Sequence, residues 1–145
     1  MNWYKISKKI INIKNIANNI RKSQVKCYGG DDECLKATCL PSSRALKDAL
    51  IKNGYDAIVV QGVFRVDNPD PTLTEEWDVN DFENEEEMEE AKYTPLHYWV
   101  EVDNLVVDIT ADQFNDELEE DLMDPITIGT YSELERYIPI HKDWI

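Results

Sequence analysis

The sequence predicts an α+β domain with an antiparallel sheet, and three observations support this. Apolar residues recur at helical intervals through residues 2–22, and a second helical stretch runs from about Pro41 to an Asn53-Gly54 stop. From residue 55 onward, β-branched and aromatic residues come in short runs, one of them a hairpin over 97–110. Helices followed by hairpin-connected strands are the element order of an α+β fold. At 145 residues the chain has room for a single domain, 1–145, with one substantial core.

The first helix rests on Trp3, Ile6, Ile10, Ile13, Ala17 and Ile20, spaced 3, 4, 3, 4 and 3. That spacing makes one apolar stripe on an otherwise polar helix. Residues 1–30 also hold seven bases and no acid, while the remaining 115 hold eight bases against thirty acids. A basic arm (1–26) that docks on its own acidic body accounts for this asymmetry, and an oligomer seam or membrane-surface helix is the alternative. Gly29-Gly30-Asp31-Asp32 reads as a loop.

In the second helix Pro41 suits the first turn, and Cys39, Ser43, Leu46 and Leu50 fall on one face. Residues 55–66 read as a strand interrupted at Gly62. Residues 67–92 carry twelve acids and one base, and read as a solvated insertion, either a surface loop or a lid over a substrate. Thr110-Ala111-Asp112-Gln113 resembles a capping box that opens a short helix. In the C-terminal extension, 115–145, residues 125–129 read as an edge strand and 131–137 as a short helix.

The hairpin fixes side-chain geometry. A two-residue turn at Asp103-Asn104 pairs Val102 with Leu105, Val100 with Val107 and Trp99 with Asp108. Paired residues share a face. One face is then Tyr98, Val100, Val102, Leu105, Val107 and Ile109, which is core; the other is His97, Trp99, Glu101, Val106, Asp108 and Thr110. His97 and Asp108 thus become diagonal neighbours, and a carboxylate there holds an imidazole in one tautomer. Asp112 is the rival carboxylate, but its place in the first turn of a helix explains it already. Cys39 stands at the mouth of the second helix, where the positive end of the helix dipole favours a thiolate. A cysteine with a distant histidine and carboxylate is a pattern for covalent acyl chemistry.

The net charge of −15 disfavours nucleic acid and anionic membranes as partners. No apolar run approaches the ~18 residues of a membrane span. Three cysteines without an export signal point to reduced thiols in a cytoplasm. The spacings of seven and five among Cys27, Cys34 and Cys39 fit no common zinc knuckle, so neither metal nor cofactor is expected.

The segments from Thr38-Cys39-Leu40-Pro41 to Leu46, Val59 to Phe64, His97-Tyr98-Trp99-Val100-Glu101-Val102 and Val106-Val107-Asp108-Ile109-Thr110 together resemble the transglutaminase-like superfamily of papain-related thiol enzymes, including small bacterial and phage-type members. The resemblance covers roughly 36–114, and the acidic insertion lies within it. It implies a papain/transglutaminase-like core, in which the helix bearing Cys39 packs on the sheet bearing His97 and Asp108. It implies a triad of nucleophile, base and orienter that transfers an acyl group or hydrolyses an amide of a protein, peptide or small acyl substrate. The backbone N–H of Cys39 and the Gln61 side chain are candidates for the oxyanion hole, and Trp99 for the substrate pocket. Some members of the superfamily are binding modules without turnover, and a binding or inhibitory module is the alternative reading here.

Overall fold

The first helix, α1, spans Trp3–Cys27, and its apolar stripe explains where it lies. Ile13 and Ala17 have no exposed surface, and Ile16 and Ile20 pack beside them. The structure, a computed structural model, describes residues 3–27, 38–67, 96–119 and 122–142. The expected loop at 29–32 and nearly all of the acidic stretch 67–92 lie outside the described residues.

Helix α2 spans Cys39–Lys52. Pro41 sits in its first turn, where a missing N–H removes no helical hydrogen bond. The stop is as the sequence suggested: the N–H of Asn53 bonds back into the last turn, and Gly54 follows at φ +89°. That left-handed conformation is what glycine supplies at a helix end.

Five strands follow: β1 (Ala57–Phe64), β2 (Leu96–Val102), β3 (Leu105–Asp108), β4 (Thr127–Thr130) and β5 (Tyr137–His141). They form one antiparallel sheet in the order β4-β3-β2-β1-β5. The β2–β3 turn has Asp103 at φ 48° and Asn104 at φ 66°. Two consecutive left-handed residues match the strand twist and fix the register, so Val102 faces Leu105 and Val100 faces Val107.

Both helices cover one face of the sheet. Ile13, Ala17, Leu46 and Leu50 pack there on Ala57, Val100, Val102, Val107 and Ile109. Each fully buried aliphatic side chain stabilises the fold by about 1.5–3 kcal/mol. The opposite face is buried too. Val60, Phe64, Trp99 and Val106 lie under Ala111, Phe114, Leu118 and Tyr137. The basic arm is tied to the acidic body: Arg21 makes a two-pronged ion pair with Asp112 and donates to the Ile109 carbonyl, and Lys9 pairs with Asp103.

Two expectations fail in the C-terminal third. Residues 131–137 are turns leading into β5, not a helix, and β5 itself was not foreseen. β5 is an edge strand, and its open side accommodates Pro139, which has no N–H to donate. Thr110 does precede a short helix, the 3₁₀ segment Ala111–Glu117, but its side chain makes no cap. Its hydroxyl goes instead to the Asp108 carboxylate, a stronger acceptor.

Candidate active site

His97 is the second residue of β2 and Asp108 the last of β3. The fixed hairpin register puts both side chains on the face away from the helices. There His97 Nε2 meets Asp108 Oδ2 at 2.6 Å, with the two side chains 0% and 1% exposed. The ring stands among aromatic groups: Phe114 at 4.9 Å between centroids, Phe64 at 5.9 Å and Trp99 at 5.9 Å. An apolar wall of this kind strengthens the pair electrostatically by excluding water.

The other ring nitrogen, Nδ1, is buried and has no hydrogen bond of regular geometry. Cys39 is close enough to the ring to raise its proton affinity. This meeting needs an explanation, because α2 lies on one face and His97 rises from the other. The chain turns tightly from α2 into β1 through Asn53–Asp56, so the helix and the strand run in opposite directions. Helix α2 is about 21 Å long at 1.5 Å per residue, close to the length of β1. Its first residue therefore comes level with Phe64 at the end of β1 and, through the Val63–Leu96 pairing, with the start of β2. Cys39 and His97 meet at that end of the sheet.

The electrostatics follow from these contacts. Burial alone would lower the proton affinity of His97. The charge and hydrogen bond of Asp108, then those of Cys39, outweigh it and raise the pKa from 6.5 to about 10. Burial pushes Asp108 the other way, but the His97 cation and hydrogen bonds from His97, Tyr137 and the Thr110 N–H hold it below the usual carboxylate range. The pair is thus ionised at neutral pH, with Nε2 occupied by Asp108 and Nδ1 not hydrogen-bonded.

The remaining candidates fall elsewhere. Asp112, the rival carboxylate, is engaged by Arg21. Gln61 lies on the helix-covered face, opposite Tyr98, and donates from Nε2 to the Tyr98 hydroxyl at 3.0 Å, leaving its Oε1 buried without a partner. It makes no hydrogen bond to the three residues above. Trp99 has no exposed surface. It walls the His97 ring and does not line an open pocket, because Ala111, Phe114 and Leu118 from the 3₁₀ segment and its end, with the Tyr137 side chain, pack on the face that the sequence left bare. Cys27 and Cys39 are free thiols. Cys34 is outside the described residues. Among the described residues no three His, Cys, Asp or Glu side chains converge as metal ligands, and no helix is long and apolar enough to cross a membrane.

One residue of this cluster escaped the sequence reading. Tyr137, at the start of β5, donates its hydroxyl to Asp108 Oδ2 at 2.6 Å. The only available signal was the alternation in Tyr137-Ile138-Pro139-Ile140-His141, which marks a strand but says nothing of its neighbour in the sheet.

Comparison of the chain with protein-family models, with curated proteins and with solved structures gives no match.

Proposed function

We propose that the chain is a thiol enzyme of the transglutaminase-like, papain-related kind, with Cys39 as nucleophile, His97 as base and Asp108 as orienter. The observation that carries this reading is the buried His97–Asp108 hydrogen bond, with Cys39 near enough to the same ring to raise its proton affinity. The arrangement of elements supports it: a cysteine opens a helix packed on an antiparallel sheet, and the histidine and aspartate come from neighbouring strands.

The reaction class is acyl transfer or amide hydrolysis, deamidation included. In the reactive form the Cys39 proton already resides on His97, whose imidazolium is paired with Asp108, and the sulfur attacks the substrate carbonyl carbon. The C–N bond breaks as the imidazolium returns a proton to the leaving nitrogen, which leaves a thioester on Cys39. Water or an amine then attacks the thioester, His97 takes its proton, and the C–S bond breaks to release the sulfur beside the restored imidazolium. Asp108 keeps its charge throughout. It fixes the ring and stabilises the imidazolium.

Iodoacetamide labelling of the full chain at neutral pH, read by peptide mass, tests the proposal. Cys39 should label much faster than Cys27 and Cys34, and His97→Ala should slow it about a hundredfold, the lower range for a positioned base. The complete burial of His97 favours a second reading, a binding or inhibitory module that keeps the scaffold without turnover. A Cys39 that labels only after unfolding decides for that module.

A further inference from the structure

The Asp108 carboxylate is saturated. Oδ2 accepts from His97 Nε2 at 2.6 Å and from the Tyr137 hydroxyl at 2.6 Å. Oδ1 accepts from the Thr110 N–H at 2.9 Å and the Thr110 hydroxyl at 3.3 Å. Four donors fill the acceptor capacity of an ionised carboxylate. Three of them are local, from the hairpin itself and the residue two beyond Asp108. Tyr137 is not: it comes from the last strand, 29 residues further along the chain.

The fold is arranged to bring it there. Tyr137 pairs with Phe64 on β1, and its ring stands edge-on to Phe64 at 5.2 Å and to Trp99 at 5.0 Å. The β1–β5 register slips between Gln61 and Gly62. A Cβ on Gly62 would lie 2.3 Å from the Trp99 ring and 2.3 Å from the Ile138 carbonyl, so glycine is what lets β5 and Trp99 close together at this point. Thr127 stands opposite Asp108 on β4, close enough to the Tyr137 hydroxyl to lower its proton affinity slightly against the raising effects of burial and Asp108. A phenylalanine would fill the same aromatic space, so packing does not account for the hydroxyl.

We infer that Tyr137 is a positioning residue of the site, holding the Asp108 carboxylate in the place and charge state that His97 requires. This rests on the reading of Cys39, His97 and Asp108 as one catalytic group and extends that group to the C-terminal strand. Burial, and then the charge of Asp108, push the Tyr137 hydroxyl well above its ordinary pKa, so it remains a donor wherever the protein is folded. The groups around the carboxylate are His97 from β2, Tyr137 from β5, Thr127 from β4 and Thr110 after β3. Phe114 covers them without charge, Cys39 stands behind His97, and the nearby Asp112 is bound by Arg21.

Tyr137→Phe in the full chain removes the hydroxyl and keeps the ring. The readout is the low-field proton resonance of the His97 Nε2–H, followed against pH. Its acid-side transition tracks protonation of Asp108. In the variant the resonance should be displaced at neutral pH, and the transition should stand about one pH unit above the wild type's, the scale of one hydrogen bond to a charged group. A resonance and a transition that coincide with the wild type's overturn the inference. Should Tyr137→Phe not fold, Thr127→Val weakens the same hydroxyl from behind. It should move the transition in the same direction by less, and no movement overturns the inference. Iodoacetamide labelling of the wild type separates this from the functional reading. If Cys39 labels no faster than Cys27, the thiol-enzyme reading falls while the resonance still decides the role of Tyr137.

Discussion

The two faces of the sheet are both dry, yet they are built from different chemistry. The helix-covered face joins Ile13, Ala17, Leu46 and Leu50 to Ala57 and three valines of the strands and to Ile109 just after β3. The opposite face is aromatic, with Phe64, Trp99, Phe114 and Tyr137, and encloses the ionised His97–Asp108 pair. Aliphatic packing is tolerant: side chains of similar volume exchange at small cost. A buried ion pair is not, because removing one partner strands the other. The difference teaches that stability and chemistry are divided between the faces, and that a single hairpin of alternating residues serves both.

The sharpest way to break that comparison is to cut the pair. His97→Ala leaves Asp108 buried and uncompensated, and should destabilise the protein by about 3–5 kcal/mol besides slowing Cys39 labelling. Denaturant unfolding measures the loss. The same pair gives stability a definite pH dependence. The folded pKa of His97 is raised, so its contribution is complete below the ordinary value of 6.5 and is lost as pH climbs to about 10. Asp108 has the opposite sign. Its contribution is present above the ordinary value of 3.8 and is lost as pH falls through the lower folded value. Melting temperature should therefore decline from neutral pH toward pH 10, and His97→Gln should flatten that decline. A wild-type curve that is level over this range would contradict the ionised pair.

Leu50→Ala tests the aliphatic face. It should cost about 2–5 kcal/mol, with a cavity left behind, while the pH profile of stability keeps its shape. A changed profile would mean that the faces are not independent. Gly62→Ala should cost about 1–3 kcal/mol as an overpacking change. Its effect belongs to the aromatic face, so Trp99 fluorescence should shift along with stability. Lys9→Gln removes an exposed pair with Asp103 and should change stability by about 0–1 kcal/mol. That small effect, set beside the larger one expected for the part-buried, two-pronged Arg21–Asp112 pair, would locate where α1 is held to the body.

The sequence by itself determined the elements whose signals are local. Helix α1 follows from an apolar stripe, the end of α2 from Asn53-Gly54, and the β2–β3 register from Asp103-Asn104. Because side chains alternate strictly along strands, that register alone placed His97 beside Asp108. The tertiary structure decided what depended on partners distant in the chain. The sequence could not say that α2, packed on one face, would bring Cys39 round the end of the sheet to a ring on the other. Nor could it say that the apparently open face would be closed by the 3₁₀ segment, with the Tyr137 side chain beside it, burying Trp99. It also could not show that Pro139 would lie in an edge strand, or that Tyr137 would reach Asp108. Turn chemistry and periodicity act over a few residues, whereas strand order and the covering of a face are fixed only when the whole core closes.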